Sequence, residues 1–166
     1  VGDVNPSNIE SLLSGVDLFL DGTDNFETRY LLNDFSLSES IPWIYGAAVG
    51  SSGVTMTIRP GASPCLVCLF PSPPGGTHAT CDTEGVLSAI ISLVVGVQVA
   101  EALKLLVGDL DALHGKLLHF DIWENRFQAV DSGAPEADCR ACGHRKFDYL
   151  SGARSALVAV VLELAP

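Results

Sequence analysis

Val16-Asp17-Leu18-Phe19-Leu20-Asp21-Gly22-Thr23-Asp24-Asn25 is the stretch whose reading decides the fold. The apolar run ends abruptly on two aspartates spaced by Gly22 and Thr23. That is the pattern of a parallel strand feeding a ligand-bearing loop at its C-terminal end. Residues 25–37 then carry Phe26, Tyr30, Leu31 and Phe35 at helical spacing, and Asp24 is the expected N-cap. Strand, acidic loop and helix in that order predict an α/β domain.

Working outward, Ile9, Leu12 and Leu13 suit a short amphipathic helix within the polar opening from Val1 to Ser14. Downstream, Trp43 to Val49 and Val54 to Ile58 read as strands joined by the turn residues Gly50-Ser51-Ser52-Gly53. Phe70 to Thr80 is rich in Pro, Gly and Ser, so a mobile loop is expected there. Gly85 to Val107 is the most apolar segment. Ser88, Ser92 and Gln98 interrupt it, and it runs into Glu101 and Lys104. A membrane span needs roughly 20 largely apolar residues, so the reading is a buried core helix and no membrane partner. Lys116 to Asp121 and Phe127 to Asp131 read as paired strands, Tyr149 to Gly152 as a turn, and Ala156 to Leu164 as an apolar tail.

The chain has 166 residues, 48% of them hydrophobic and 17% charged, enough for one domain with a real core. Its net charge of -11, with nine scattered basic residues, argues against a nucleic-acid partner. No basic segment leading into a short apolar run opens the chain. The cysteine pattern suits a reducing, cytoplasmic setting better than a disulfide framework.

Four of the five cysteines form two pairs, Cys65-Leu66-Val67-Cys68 and Cys139-Arg140-Ala141-Cys142. Two such knuckles can close a tetrahedral zinc site with no open position, which is a structural role. Four unrelated thiols, or a redox pair, are the competing readings. At the acidic loop, a carboxylate can hold Mg²⁺ that bridges nucleotide phosphates. Asn25 can donate to a phosphate oxygen, and Arg29 can complement phosphate charge. The plainer reading is a helix cap beside a surface acid. Cys81 stands ahead of a helix start, which favours a reactive thiolate. Asp82 and Glu84 oppose it, so an inert thiol stands equally. His78 reads as a base for that thiol or as a surface histidine.

Taken in order, Leu20-Asp21-Gly22-Thr23-Asp24-Asn25-Phe26-Glu27-Thr28-Arg29-Tyr30, then Pro42 with Gly46-Ala47-Ala48, the two cysteine pairs, and Thr80-Cys81 with Gly85-Val86 resemble the ThiF/MoeB/HesA family. Its members are ATP-dependent adenylyltransferases of small ubiquitin-like sulfur carriers. The resemblance runs from about Asn5 to Ser155, and Lys146 to Gly152 leans toward the thiamine-pathway branch. It implies a domain over residues 1–155 and a divergent tail over 156–166. The implied fold is the C-terminal part of a Rossmann-like ubiquitin-activating-enzyme fold, with a structural zinc site and a C-terminal β extension. It implies that Asp24 and Asn25 serve Mg·ATP, and that Arg29 belongs to the catalytic set. Cys65, Cys68, Cys139 and Cys142 would carry zinc, and Cys81 would link to the carrier. The implied partners are a β-grasp sulfur carrier and, at full length, a second copy in a homodimer.

The family's Gly-rich nucleotide loop, ribose-binding acid and basic phosphate ligands fall before the equivalent of Val1, and no Gly-x-Gly-x-x-Gly occurs here. The expectation is therefore the C-terminal half of a longer protein, inactive alone. Two further readings stand beside the enzyme. One is a non-catalytic, zinc-stabilised carrier-binding half-domain. The other is a zinc-stabilised redox protein using Cys81.

Overall fold

The computed structural model describes residues 3–73 and 81–154, the side chains of Cys81 and Asp82 excepted. Eleven elements follow in order: α1 (Ile9–Leu13), β1 (Phe19–Leu20), α2 (Phe26–Glu39), β2 (Trp43–Val49), β3 (Ser52–Ile58), α3 (Leu66–Leu69), α4 (Cys81–Glu84), α5 (Ser88–Leu106), a 3-10 turn (Leu110–Ala112), β4 (Leu117–Asp121) and β5 (Arg126–Val130). The expected tail over 156–166, His78 and most of the expected loop lie outside the described residues.

One sheet runs β1-β2-β3-β4-β5. β1 pairs parallel with β2, and every later pair is antiparallel. The fold is thus mixed α/β. β4 and β5 are its last strands, and among the described residues no strand follows Val130.

Alternation along β2 and β3 builds a different core on each face. Trp43, Tyr45, Met56 and Ile58 join the side chains of α2 and the first cysteine knuckle. On the other face lie Gly46 and Gly53, close against α5, where Ile90 and Val94 pack with Phe120.

α5 qualifies the expectation of a buried core helix: it is buried along one face only. By length and apolarity alone it could cross a membrane. Here it lies across β2 and β3 and buries one stripe: Ile90, Val94, Gln98, Glu101 and Ala102. Ile91, Val95, Val99 and Leu103 on its other side are exposed. The misreading has a physical cause: an apolar residue on every side of a helix hides which face packs. The buried polar residues mark it instead. Glu101 accepts from Thr57 Oγ1 at 3.0 Å and from Lys104 Nζ at 2.6 Å.

α2 is enclosed on all sides from Arg29 to Leu37. It sits between the sheet and the two cysteine arms and is tied to both. Leu66 N–H donates to Asn33 Oδ1 (2.8 Å), and Tyr30 Oη donates to the Phe70 carbonyl (2.7 Å). From the second arm, Tyr149 N–H donates to Asp34 Oδ2 (2.9 Å), and the Tyr149 ring stacks on Tyr30 at 5.0 Å.

Candidate functional site

β1 hands the chain to the loop through a short anchor: Asp21 N–H donates to the Ile44 carbonyl at 2.9 Å. The Asp21 side chain then turns inward. Its Oδ1 accepts from Thr23 N–H (2.8 Å) and Thr23 Oγ1 (2.7 Å), an Asx-type closure of the turn. Its Oδ2 pairs with Arg29 Nε at 3.3 Å. Burial pushes the Asp21 carboxyl up, while Arg29 and the Thr23 donors pull it back.

Spacing alone would let Arg29 face a phosphate. Its guanidinium is instead turned inward and is only 6% exposed as a residue. Besides Asp21 it donates from Nη2 to the Thr23 carbonyl at 2.6 Å, and it lies over the rings of Phe26 (5.5 Å) and Tyr45 (5.8 Å). In this geometry Arg29 braces the loop.

The expected cap is also corrected. Asn25, not Asp24, caps α2: its Oδ1 accepts from Thr28 N–H at 2.8 Å. One residue decides the matter, because Asn25 is the last with extended backbone before the helix. Asp24 is thereby released from capping. Its carboxylate is exposed and, among the described residues, accepts a hydrogen bond only from Asn25 Nδ2 (3.3 Å), in the loop after the C-terminal end of a parallel strand.

The four paired cysteines converge. Cys65, Cys68, Cys139 and Cys142 place their sulfurs within 4.8 Å of one another, a cluster that could hold a metal ion. Unrelated thiols are thereby excluded. Two turns aim them: α3 starts at the first pair, and Gly143 closes the second, where a Cβ would run into the Ala137 carbonyl. Among the thiols themselves, burial pushes Cys65 up and Cys142 up to about 12. Burial acts on Cys139 as well, but hydrogen bonds from the backbone N–H groups of Cys142 and Ala141 and from the Cys142 and Cys68 thiols together outweigh it and bring that thiol down. A bound cation reverses the general preference by stabilising thiolates.

Cys81 opens α4, a single turn. The segment after it is fastened to the β2–β3 turn: Gly50 N–H donates to the Gly85 carbonyl, and Leu87 N–H to the Gly50 carbonyl, both at 2.9 Å. Gly50 follows the C-terminal end of β2, so Cys81 and the acidic loop lie toward the same end of the sheet. The cysteine cluster is separate from both and is joined to the acidic loop through α2.

Two participants were missed by spacing: Asp21 as the buried partner of Arg29, and Gln98, described below. For Gln98 the signal is a polar residue inside an apolar segment; the Asp21–Arg29 pairing leaves no such mark.

The ThiF family model matches residues 1–141. Sulfur carrier protein ThiS adenylyltransferase of Bacillus subtilis (strain 168) is 43% identical over 152 residues, 91% of this chain and 44% of that protein. SAMP-activating enzyme E1 of Haloferax volcanii is 40% identical over 148 residues, 89% of this chain and 54% of that protein. The chain thus spans about half the length of these two relatives. Among solved structures, E. coli MccB with ATP superposes with a TM-score of 0.69 at 14% identity, over 86% of this chain and 44% of that one. At that identity the likeness is one of fold.

Proposed function

The chain belongs to the ThiF family, and from that membership we propose that it contributes to an ATP-dependent adenylyltransferase acting on the C-terminal glycine of a small β-grasp sulfur carrier. The observation that carries the reading is Asp24. It is an exposed carboxylate between Thr23, which is tied to Asp21 and Arg29, and Asn25, which caps α2.

The reaction proposed joins a carboxylate oxygen of the carrier to the α-phosphorus of ATP. The bond from that phosphorus to the bridging oxygen breaks, and pyrophosphate leaves with the electron pair. Mg²⁺, when bound, neutralises phosphate charge. The chain's own share is to hold Asp24 and Asn25 where the metal–nucleotide complex docks, which lowers the cost of orienting the reactants. Cys81 is the thiol proposed for a covalent link to the carrier. The partners proposed are the carrier, ATP and a second copy of the protein.

The metal proposed for the cysteine cluster is zinc. Tetrahedral zinc with Zn–S bonds of about 2.3 Å separates its sulfurs by about 3.8 Å. Three of the six spacings here are 3.7 Å (Cys65–Cys68), 3.7 Å (Cys65–Cys139) and 3.4 Å (Cys68–Cys142), and all lie within 4.8 Å. Four thiolates leave no position for substrate, so the role proposed is to hold the two arms against α2.

The test is intact-mass analysis of the carrier after incubation with ATP, Mg²⁺ and the protein that carries this chain. A gain of one adenylyl group, absent with Asp24→Ala, is expected. An unmodified carrier that nevertheless binds would favour the non-catalytic half-domain.

A further inference from the structure

Gln98 sits at the centre of the apolar helix α5 and is 2% exposed. A buried amide costs stability unless it is hydrogen-bonded. Its Nε2 donates to two main-chain carbonyls, Asp21 and Ile44, each at 3.0 Å. Ile44 also accepts from Asp21 N–H, so Gln98 closes on the point where β1 stops and the acidic loop begins. Space for the amide comes from Gly46. A Cβ there would lie 2.5 Å from Gln98 Nε2 and 2.9 Å from its Cδ.

We infer that Gln98 is a positioning residue for the metal–nucleotide loop: through the Asp21 carbonyl it fixes where Asp24 stands. The chain of contact is continuous. Gln98 holds the Asp21 main chain, the Asp21 carboxylate holds Thr23 and Arg29, and Arg29 holds the Thr23 carbonyl. Asp24 follows Thr23 directly and, among the described residues, has no inward anchor of its own, so its position is inherited from these. Apolar packing alone would not need a donor here, and a leucine or methionine would fill the same space. The bonded amide instead fixes a main-chain atom in a direction that dispersion forces cannot specify.

The inference rests on the proposed adenylylation, and its test separates the two. Carrier-dependent exchange of labelled pyrophosphate into ATP is followed against Mg·ATP and against carrier. The variants are Gln98→Met, which keeps bulk and removes the donor, and Gly46→Ala, which displaces the amide while leaving Gln98 in the chain. A rise of about tenfold in the KM for Mg·ATP is expected for both, with the KM for carrier unchanged. The double variant Gly46→Ala/Gln98→Ala removes the clash and should be thermally more stable than Gly46→Ala while keeping the raised KM. Where Gln98→Met does not fold, the other two carry the test.

Wild-type KM for Mg·ATP in these variants, or a fall in kcat with both KM values unchanged, would overturn the inference. Intact exchange in Asp24→Ala would overturn the parent reading, and the inference with it. Loss of exchange in Asp24→Ala beside normal Gln98→Met would overturn the inference alone.

Discussion

Arg29 reaches back to Asp21, Nε to Oδ2 at 3.3 Å, with side chains 7% and 0% exposed. The pair closes the turn that leaves Asp24 outside. Removing one member of a buried pair strands the other charge, at a cost of about 3–5 kcal/mol. Arg29→Met is therefore expected to destabilise by about that amount in denaturant unfolding. The double variant Asp21→Asn/Arg29→Met should lose less than Arg29→Met alone. Arg29→Lys should not rescue, because an ammonium lacks the fork that serves the Asp21 carboxylate and the Thr23 carbonyl together. Equal stability of Arg29→Met and wild type would remove the brace from the account of the loop.

Asp34 gives stability a pH dependence. Burial raises its carboxyl from 3.8 to about 6, against the opposing pull of the Tyr149 and Leu150 N–H groups and Arg140. The folded chain thus holds the extra proton between those two values. Stability from this group is fully present below the lower value and is lost as pH rises through about 6. Asp34→Asn cannot ionise. Its unfolding free energy, relative to wild type under the same metal conditions, should improve by about 2–3 kcal/mol between about pH 4 and pH 7. A constant difference across that range would contradict the shift.

Metal content should separate the five cysteines into four and one. About one zinc per chain is expected in wild type and in Cys81→Ser, and none in Cys65→Ser or Cys139→Ser. Excess chelator should lower the melting temperature of wild type, because the cluster holds two distant arms together. Elemental analysis with thermal melts checks both. Full zinc in Cys139→Ser would show that the metal sits elsewhere.

Much of this architecture is written locally. The Gly50-Ser51-Ser52-Gly53 turn marks the β2–β3 hairpin because tight turns demand such residues. The two Cys-x-x-Cys pairs announce their convergence because metal knuckles constrain spacing. The α5 face was illegible for the opposite reason: its apolar residues surround the helix, and only Gln98 and Glu101 betray the buried side. Arg29 depends on the path of the loop between it and Asp21, which no periodicity encodes. Gln98 depends on an absent Cβ at Gly46, on another element entirely. Asn25 and Asp24 are adjacent and both able to cap, so a shift of one residue exchanges the helix cap for the exposed carboxylate.

The most direct measurement is pyrophosphate exchange into ATP by the protein that carries this chain, with carrier and Mg²⁺ supplied, comparing wild type with Asp24→Ala. Asp24 is exposed and caps nothing, so the substitution should leave the fold intact. Exchange in wild type, lowered by about 10²-fold or more in Asp24→Ala at unchanged melting temperature, is the expected result. Undiminished exchange in Asp24→Ala would contradict the assignment of this loop to the metal–nucleotide complex.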